Sequence, residues 1–225
     1  MTQIASRPAA IVFDLDGTLV DSLPDMLRAM NGLLADLGRR AARPDEIRGW
    51  VGDGARVLVE HGLAATGGLP DQPVAELVAR YIDHYRGHAA HETRLYPGVR
   101  ETLEGLKAAG HRLAVCTNKP YALAVEVLEG LELSDLFVAV LGGDSVAVKK
   151  PDPGHLRATL AAMGAAEGRA LMVGDSSNDV AAARGAGVPV VAVSFGYARI
   201  DPRQLGADEV IDNFTQLPVV AARFL

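Results

Sequence analysis

The chain has a single cysteine, Cys116, among its 225 residues. One thiol cannot close an intramolecular disulfide, which excludes a disulfide-stapled scaffold and fits a reducing compartment. No spaced cluster of Cys and His occurs either, so the usual ligand set of a zinc site is absent. Long apolar runs are also missing. The longest stretch without a charge, residues 185–198, contains Gly and Pro and falls short of the ~20 apolar residues of a membrane span. Residues 1–10 include an arginine but no apolar core of a secretory signal, so the expectation is a cytoplasmic protein with no membrane partner. Basic excess is lacking too, since 22 Lys+Arg against 28 Asp+Glu leave a net charge of -6. That is the wrong sign for a chain that neutralises a nucleic-acid backbone, and no nucleic-acid partner is expected. A small phosphorylated metabolite remains compatible, because a few placed cations or a metal overcome an acidic balance locally.

With 49% hydrophobic and 22% charged residues the chain can bury a substantial core, and its length suits one ordinary domain plus a smaller insert. Short aliphatic runs at residues 9–13, 112–117, 137–141, 170–173 and 188–193, bounded by Gly, Asp or Asn, read as strands buried on both faces. Residues 99–109, 121–131, 154–163 and 178–186 read as Ala/Leu-rich helices, several with Gly at the C-terminal end. This alternation predicts an α/β class, a doubly wound, Rossmann-like parallel sheet. The segment from Ser22 to Tyr96 breaks the rhythm with helices only. Leu23, Met26, Leu27, Met30, Leu33, Leu34 and Leu37 form one apolar stripe at three- and four-residue spacing, and Val74, Leu77, Val78, Tyr81, Ile82 and Tyr85 a second. The expected organisation is therefore a core of residues 1–20 and 97–225 with an inserted α-helical cap over 21–96.

Ligands of open α/β sheets bind outside the carboxyl ends of the strands, so the chemistry is sought there. The first run ends in Asp14-Leu15-Asp16-Gly17-Thr18, the second in Thr117-Asn118, and the fourth in Gly174-Asp175 and on to Asp179; the loop after the third holds Lys149-Lys150-Pro151. Carboxylates crowded on one edge repel one another unless a cation holds them, and an all-oxygen donor set favours Mg²⁺. A hydroxyl, amides at a helix start and an ammonium, from Thr117, Asn118 and Lys150, suit phosphoryl oxygens. An aspartate beside such a group can attack phosphorus, with Asp14 or Asp16 as nucleophile and the other as proton carrier.

In their order these residues resemble the four motifs of the haloacid dehalogenase superfamily: Asp14 to Thr18, then Thr117, then Lys150, then Gly174-Asp175 to Asp179. The segment between the first two is similar to that family's helical cap, and residues 50–56, Trp-Val-Gly-Asp-Gly-Ala-Arg, resemble the cap loop of its phosphoglycolate phosphatases. The resemblance implies Asp14 as the phosphorylated nucleophile and a metal ligand. It implies Asp16 as acid–base with its backbone carbonyl on the metal, and Asp175 as a further ligand. Thr117, Asn118 and Lys150 would bind phosphate, and Asp179 would orient the site from behind the ligands. Gly54 and Arg56 are the expected specificity residues of the cap, Arg56 for a substrate carboxylate. The function implied is Mg²⁺-dependent hydrolysis of a phosphomonoester, 2-phosphoglycolate foremost, through an aspartyl-phosphate, by a monomer or homodimer. A phosphomutase of the β-phosphoglucomutase type and phosphatases of sugar phosphates or pyrophosphate share the motifs. A phospho-receiver module shares the residue types, but places its phosphoaccepting Asp after a middle strand and lacks a helical insert. Cys116 reads as a buried hydrophobe, Lys149 as solvated, the histidines as cap surface, and Tyr81 and Tyr85 as bundle core; Asp53 is expected to cap the helix that follows it.

Overall fold

The computed structural model describes residues 8–165 and 169–225; the reading of residues 1–7, in the N-terminal segment and the first part of the core, lies outside the described residues. The strands in chain order are β1 (Ala10–Phe13), β2 (Val20–Asp21), β3 (Arg94–Leu95), β4 (Arg112–Cys116), β5 (Ala139–Leu141), β6 (Ala170–Gly174), β7 (Val190–Val193) and β8 (Glu209–Ile211). The helices are α1 (Leu23–Asp36), α2 (Pro44–Arg48), α3 (Ala55–Ala65), α4 (Val74–Tyr85), α5 (Val99–Ala108), α6 (Tyr121–Gly130), α7 (Pro153–Ala162), α8 (Ser177–Ala186) and α9 (Leu217–Ala221). Six strands form one sheet in the order β5-β4-β1-β6-β7-β8, and every pairing in it is parallel. This is the doubly wound α/β architecture the alternation predicts.

Side chains of a strand alternate between faces. Ile11 and Phe13 of β1 accordingly join one apolar cluster with Val115, Leu171 and Val193, whereas Ala10 and Val12 join a second with Ala114, Met172 and Leu156. Each residue of β1 is buried on its own face, at ~1.5–3 kcal/mol for each large aliphatic or aromatic side chain. The first cluster continues into the insert through Met26, Met30, Leu33, Leu63, Leu77 and Tyr81, so the sheet and α1, α3 and α4 share one core. β2 and β3 pair antiparallel, Val20 against Leu95 and Asp21 against Arg94, and form the two-stranded neck through which the chain leaves and re-enters the sheet. Buried Asp25 fastens that neck, its Oδ2 accepting from the Glu92 and Thr93 amides and the Thr93 hydroxyl, each at 2.8 Å.

Several elements differ from the expected ones. The fifth apolar run forms a strand only from Val190, because Pro189 has no N–H to donate, and the third only from Ala139. β8, α2 and α9 lie outside the expected elements, as does strand β3 in an insert read as helices only, because their few residues carry too short a pattern. α3 adds a longer helix to the two that the apolar stripes predict.

His155 on α7 is fully buried, and neither ring nitrogen has a hydrogen-bond partner, the Leu141 and Gly142 carbonyls lying near without bonding geometry. Burial first, and the Lys150 charge second, push its pKa down to about 4 from 6.5. Between those values the unfolded chain takes a proton that the folded chain refuses, so stability falls as pH falls through that window. Denaturant midpoints from pH 7 to 4 should therefore drop more steeply in the wild-type chain than in His155→Leu; parallel curves would remove His155 from the acid response.

Candidate active site

The parallel register builds the site. Phe13 lies level with Val115 on β4 and with Val173 on β6, so the residues just past these ends emerge together at the carboxyl edge. The Asp14 amide donates to the Val173 carbonyl at 2.9 Å, which holds the loop to the sheet for one residue more. Lys150 Nζ lies 2.9 Å from Asp14 Oδ1 and 2.6 Å from Asp179 Oδ1. Asp179 turns its other oxygen to the start of α8, accepting from the Ser176 hydroxyl at 2.7 Å and the amides of Ser176 and Asp175 at 3.0 and 3.1 Å. It thus completes a capping box with Ser176 while pairing with Lys150. Asp175 Oδ2 accepts from the Tyr197 amide at 2.6 Å, and Thr18 Oγ1 donates to Oδ1 at 3.4 Å. Gly17, at φ 85°, passes so close to the Asp175 carboxylate and the Tyr197 ring that any Cβ would collide with both.

One oxygen from each of Asp14, Asp175 and Asp179 falls within 4.8 Å of the others. Three carboxylates face one ammonium here, and the proton affinities of Asp14 and Asp175 record the excess. Burial pushes Asp14 up to about 7, with Lys150 opposing it and Asp179 and Asp16 adding to it. Asp175 is held well above the carboxylate range by burial, then by Asp179 and Asp14. For Lys150 burial disfavours the charge, but Asp14 and Asp179 outweigh it and keep the lysine protonated. A group of buried oxygens short of positive charge fits a hard divalent cation, and no nitrogen or sulfur ligand stands among the three.

Asp16 stands apart from this cluster. Its carboxylate accepts from Ser22 Oγ at 2.6 Å and from Lys119 Nζ at 3.0 and 3.3 Å. Thr117 is buried, its hydroxyl accepting from the Lys119 amide at 3.2 Å. Asn118 bridges two segments, donating through Nδ2 to the Lys150 carbonyl at 2.8 Å and to the Gly52 carbonyl of the insert at 2.9 Å. Cys116 is buried and its thiol is pushed up to about 11 by burial, which leaves it inert as a nucleophile.

Asp14, Asp16, Thr117, Asn118 and Asp175 open onto a cleft of about 150 Å³ between the sheet edge and the insert, sized for a small metabolite, with Lys150 and Asp179 behind Asp14. Loop 51–54 forms its rim. Asp53 bonds Asn178 Nδ2 at 2.8 Å and Arg199 at 2.9 Å, which together hold its carboxyl below the usual range against the opposing effect of burial. It makes no cap to α3, whose N-cap is Gly54 without a side-chain bond, so the capping expectation fails because the core draws the carboxylate away. Lys149 is not simply solvated either; its ammonium donates to the Asp53 carbonyl at 2.5 Å. Gly54 lines the cleft at φ 89°, and a Cβ there would stand 3.1 Å from both the Asn118 carbonyl and Lys149 Nζ. Tyr81 and Tyr85 are buried in the bundle and line the cleft as well.

Arg56 falls elsewhere. Its side chain is 70% exposed, pairs with Glu60 at 2.9 Å, and does not line the cleft. The cause is helical register: Arg56 lies in the first turn of α3, and its neighbour along that face is the residue four positions on. Arg56→Ala should therefore cost only ~0.3–0.5 kcal/mol of stability and leave kcat/KM within about twofold for any phosphomonoester. A tenfold loss confined to carboxylated substrates would return Arg56 to recognition. Lys119, Tyr197, Asn178 and Arg199 reach the cleft without having been picked out from the sequence. Lys119 follows Thr117 and Asn118 at one strand end, and Asn178 opens α8 within the motif that follows another, so both stand where strand-end chemistry gathers; Tyr197 and Arg199 lie in the loop after β7 and carry no such signature.

The haloacid dehalogenase-like hydrolase family profile matches residues 11–193. The phosphoglycolate phosphatase of Caulobacter vibrioides is 47% identical over 211 residues, covering 93% of this chain and 89% of that protein. The phosphoglycolate phosphatase of Agrobacterium fabrum is 43% identical over 217 residues, covering 95% and 93%. Among solved structures, a predicted phosphoglycolate phosphatase from Haemophilus somnus superposes with a TM-score of 0.89 at 35% identity over 98% of this chain and 99% of that one. CbbY from Rhodobacter sphaeroides, solved with phosphate, gives 0.81 at 29% identity over 94% and 96%. The fold, the strand-end aspartates and these likenesses place the chain in one class. It belongs to the haloacid dehalogenase-like hydrolases. Within that family it is an enzyme of the phosphatase kind, as its relatives are. Among the described residues no helix is long and apolar enough to cross a membrane.

Proposed function

We propose that the chain is a Mg²⁺-dependent phosphomonoester hydrolase whose preferred substrate is 2-phosphoglycolate, working through an aspartyl-phosphate on Asp14. The observation that carries this reading is the Asp14–Lys150–Asp179 chain of ion pairs beside Asp175 at the carboxyl edge of the sheet. The relatives' names support the substrate. The core comprises residues 1–20 and 97–225, and residues 21–96 form a cap that covers the cleft.

An Asp14 carboxylate oxygen attacks phosphorus, forming the O–P bond as the ester P–O bond breaks. The Asp16 carboxyl gives its proton to the departing alkoxide and then takes one from the water that attacks the acyl-phosphate, which releases phosphate and regenerates Asp14. Lys150, the Thr117 hydroxyl and Asn118 hold phosphoryl oxygens and offset their charge. Asp179 fixes the Lys150 ammonium from behind. Asp14, Asp175 and the Asp16 carbonyl would hold the metal, which supplies positive charge against the phosphoryl oxygens.

Exhaustive EDTA treatment should abolish turnover and Mg²⁺ should restore it; full activity without metal would contradict the site. Ligands must be deprotonated to bind, and burial pushes Asp14 up to about 7. Apparent Mg²⁺ affinity should therefore weaken as pH falls below 7, by up to ~10-fold per unit from this group alone. A flat affinity between pH 8 and 6 would show that Asp14 is not a ligand. Phosphate release from a panel of phosphomonoesters tests the whole reading. It predicts the highest kcat/KM for 2-phosphoglycolate; transfer to a sugar hydroxyl without phosphate release would make the chain a mutase instead.

A further inference from the structure

Asp14, Asp16, Asp53 and Asp175 line the cleft, and the cationic side chains that line it are Lys119 and Arg199. A phosphomonoester carrying a second negative group enters a cleft rich in carboxylates and needs a cation beyond the phosphate site to stay there. Arg199 is half exposed and already engaged, bonding the Val51 carbonyl at 3.0 Å and Asp53 at 2.9 Å. Lys119 differs in both respects. Its side chain is 2% exposed, so its charge acts with little screening by water. Its ammonium donates to Asp16 at 3.0 Å and to the Tyr85 hydroxyl at 2.8 Å, and lies 4.5 Å from the centre of the Tyr85 ring. Its third contact, to the other Asp16 oxygen at 3.3 Å, is the longest of the three and shares a carboxylate already bonded at 3.0 Å, so a substrate carboxylate can take that proton over.

We infer that Lys119, together with the Tyr85 hydroxyl, binds a carboxylate of the substrate, which selects phosphomonoesters of short 2-hydroxy acids. The inference rests on the reading of Asp14 as nucleophile and Asp16 as partner of the leaving oxygen. In that reading Lys119 stands one hydrogen bond beyond Asp16. A carboxylate two bonds from the ester oxygen comes within the same reach, while an uncharged alcohol leaves the ammonium to Asp16 alone. Lys119 follows β4 of the core and Tyr85 ends α4 of the insert, so the two halves of the subsite meet only when insert and core are together. The expected carboxylate partner thus moves from the exposed Arg56 to a buried lysine on the sheet edge.

The test compares 2-phosphoglycolate with 2-hydroxyethyl phosphate, similar in size but without the carboxylate. Lys119→Met should lower kcat/KM for 2-phosphoglycolate ~10–100-fold more than for the neutral ester, chiefly through KM, and Lys119→Arg should recover part of that gap. Equal losses on both esters, or losses confined to kcat, would overturn the assignment and leave Lys119 as a support for Asp16. A measurement without variants guards against misfolding: 3-phosphonopropionate, which replaces the ester oxygen of 2-phosphoglycolate by a methylene, should inhibit the wild-type chain at least ~10-fold more tightly than propylphosphonate, and equal inhibition would overturn the assignment. Wild-type turnover of both esters at equal kcat/KM would overturn the Lys119 subsite alone, whereas turnover of neither would overturn the phosphatase reading beneath it.

Discussion

Asp14→Asn should lower phosphomonoester turnover by ~10⁴-fold or more while the fold stands. The amide is close to isosteric, and its oxygen can still accept from Lys150, which lies 2.9 Å from Asp14. What it loses is nucleophilicity and the charge that binds a metal. The same substitution should hold or raise the metal-free thermal midpoint at pH 8. There wild-type Asp14 is ionised against its own tendency, since burial has lifted its pKa to about 7. Removing one buried anion of a crowded set relieves that cost, and each 1 kcal/mol gained is worth ~2–4 °C in a chain of this size. Turnover within tenfold of wild type, or a midpoint several degrees lower, would contradict the role given to this carboxylate.

Lys150→Met should give the largest loss of stability in the site. The lysine is 2% exposed and is the cation that pairs with both Asp14 and Asp179. Taking one member from a buried ion-paired set costs ~3–5 kcal/mol, mostly for the charges left behind. Its pH dependence follows from the direction of the shifts. Without Lys150, which lowers the Asp14 pKa, that carboxyl rises further above the unfolded value of 3.8. The folded state then binds more protons than the unfolded one, so stability grows as pH falls toward that value. In EDTA, the deficit relative to wild type should be largest near pH 8 and clearly smaller near pH 5. A deficit independent of pH would mean that lost packing of the lysine stem, and not stranded charge, sets the cost.

The core strands were legible because they are buried on both faces, and burial of that kind leaves a continuous aliphatic run: Ile11 to Phe13, Leu113 to Cys116 and Leu171 to Val173 read as strands and are strands. β8 was not, because a three-residue strand with one neighbour needs little apolar sequence. The positions of Asp14, Thr117, Asp175 and Lys150 followed from one rule, that ligands gather at the carboxyl ends of parallel strands. The pairings among site residues were hidden. Lys119 and Asp16 are 103 residues apart and meet because β4 lies beside β1. Tyr197 reaches Asp175 by its amide and the neck by its hydroxyl, which accepts from Ser22 at 2.8 Å and donates to Asp21 at 2.7 Å. No local pattern encodes either contact. Arg56 shows the opposite error. The two glycines before it drew attention to the loop, but the first turn of α3 decides where its side chain goes.

The central claim is a covalent phosphoryl group on Asp14. Rapid acid quench of the enzyme during turnover of ³²P-labelled 2-phosphoglycolate with Mg²⁺ tests it directly. The account predicts protein-bound label that is released by hydroxylamine, maps to the peptide containing Asp14, and forms and decays at least as fast as phosphate is released. Label on another peptide, or a burst of free phosphate with no labelled protein at any quench time, would contradict it.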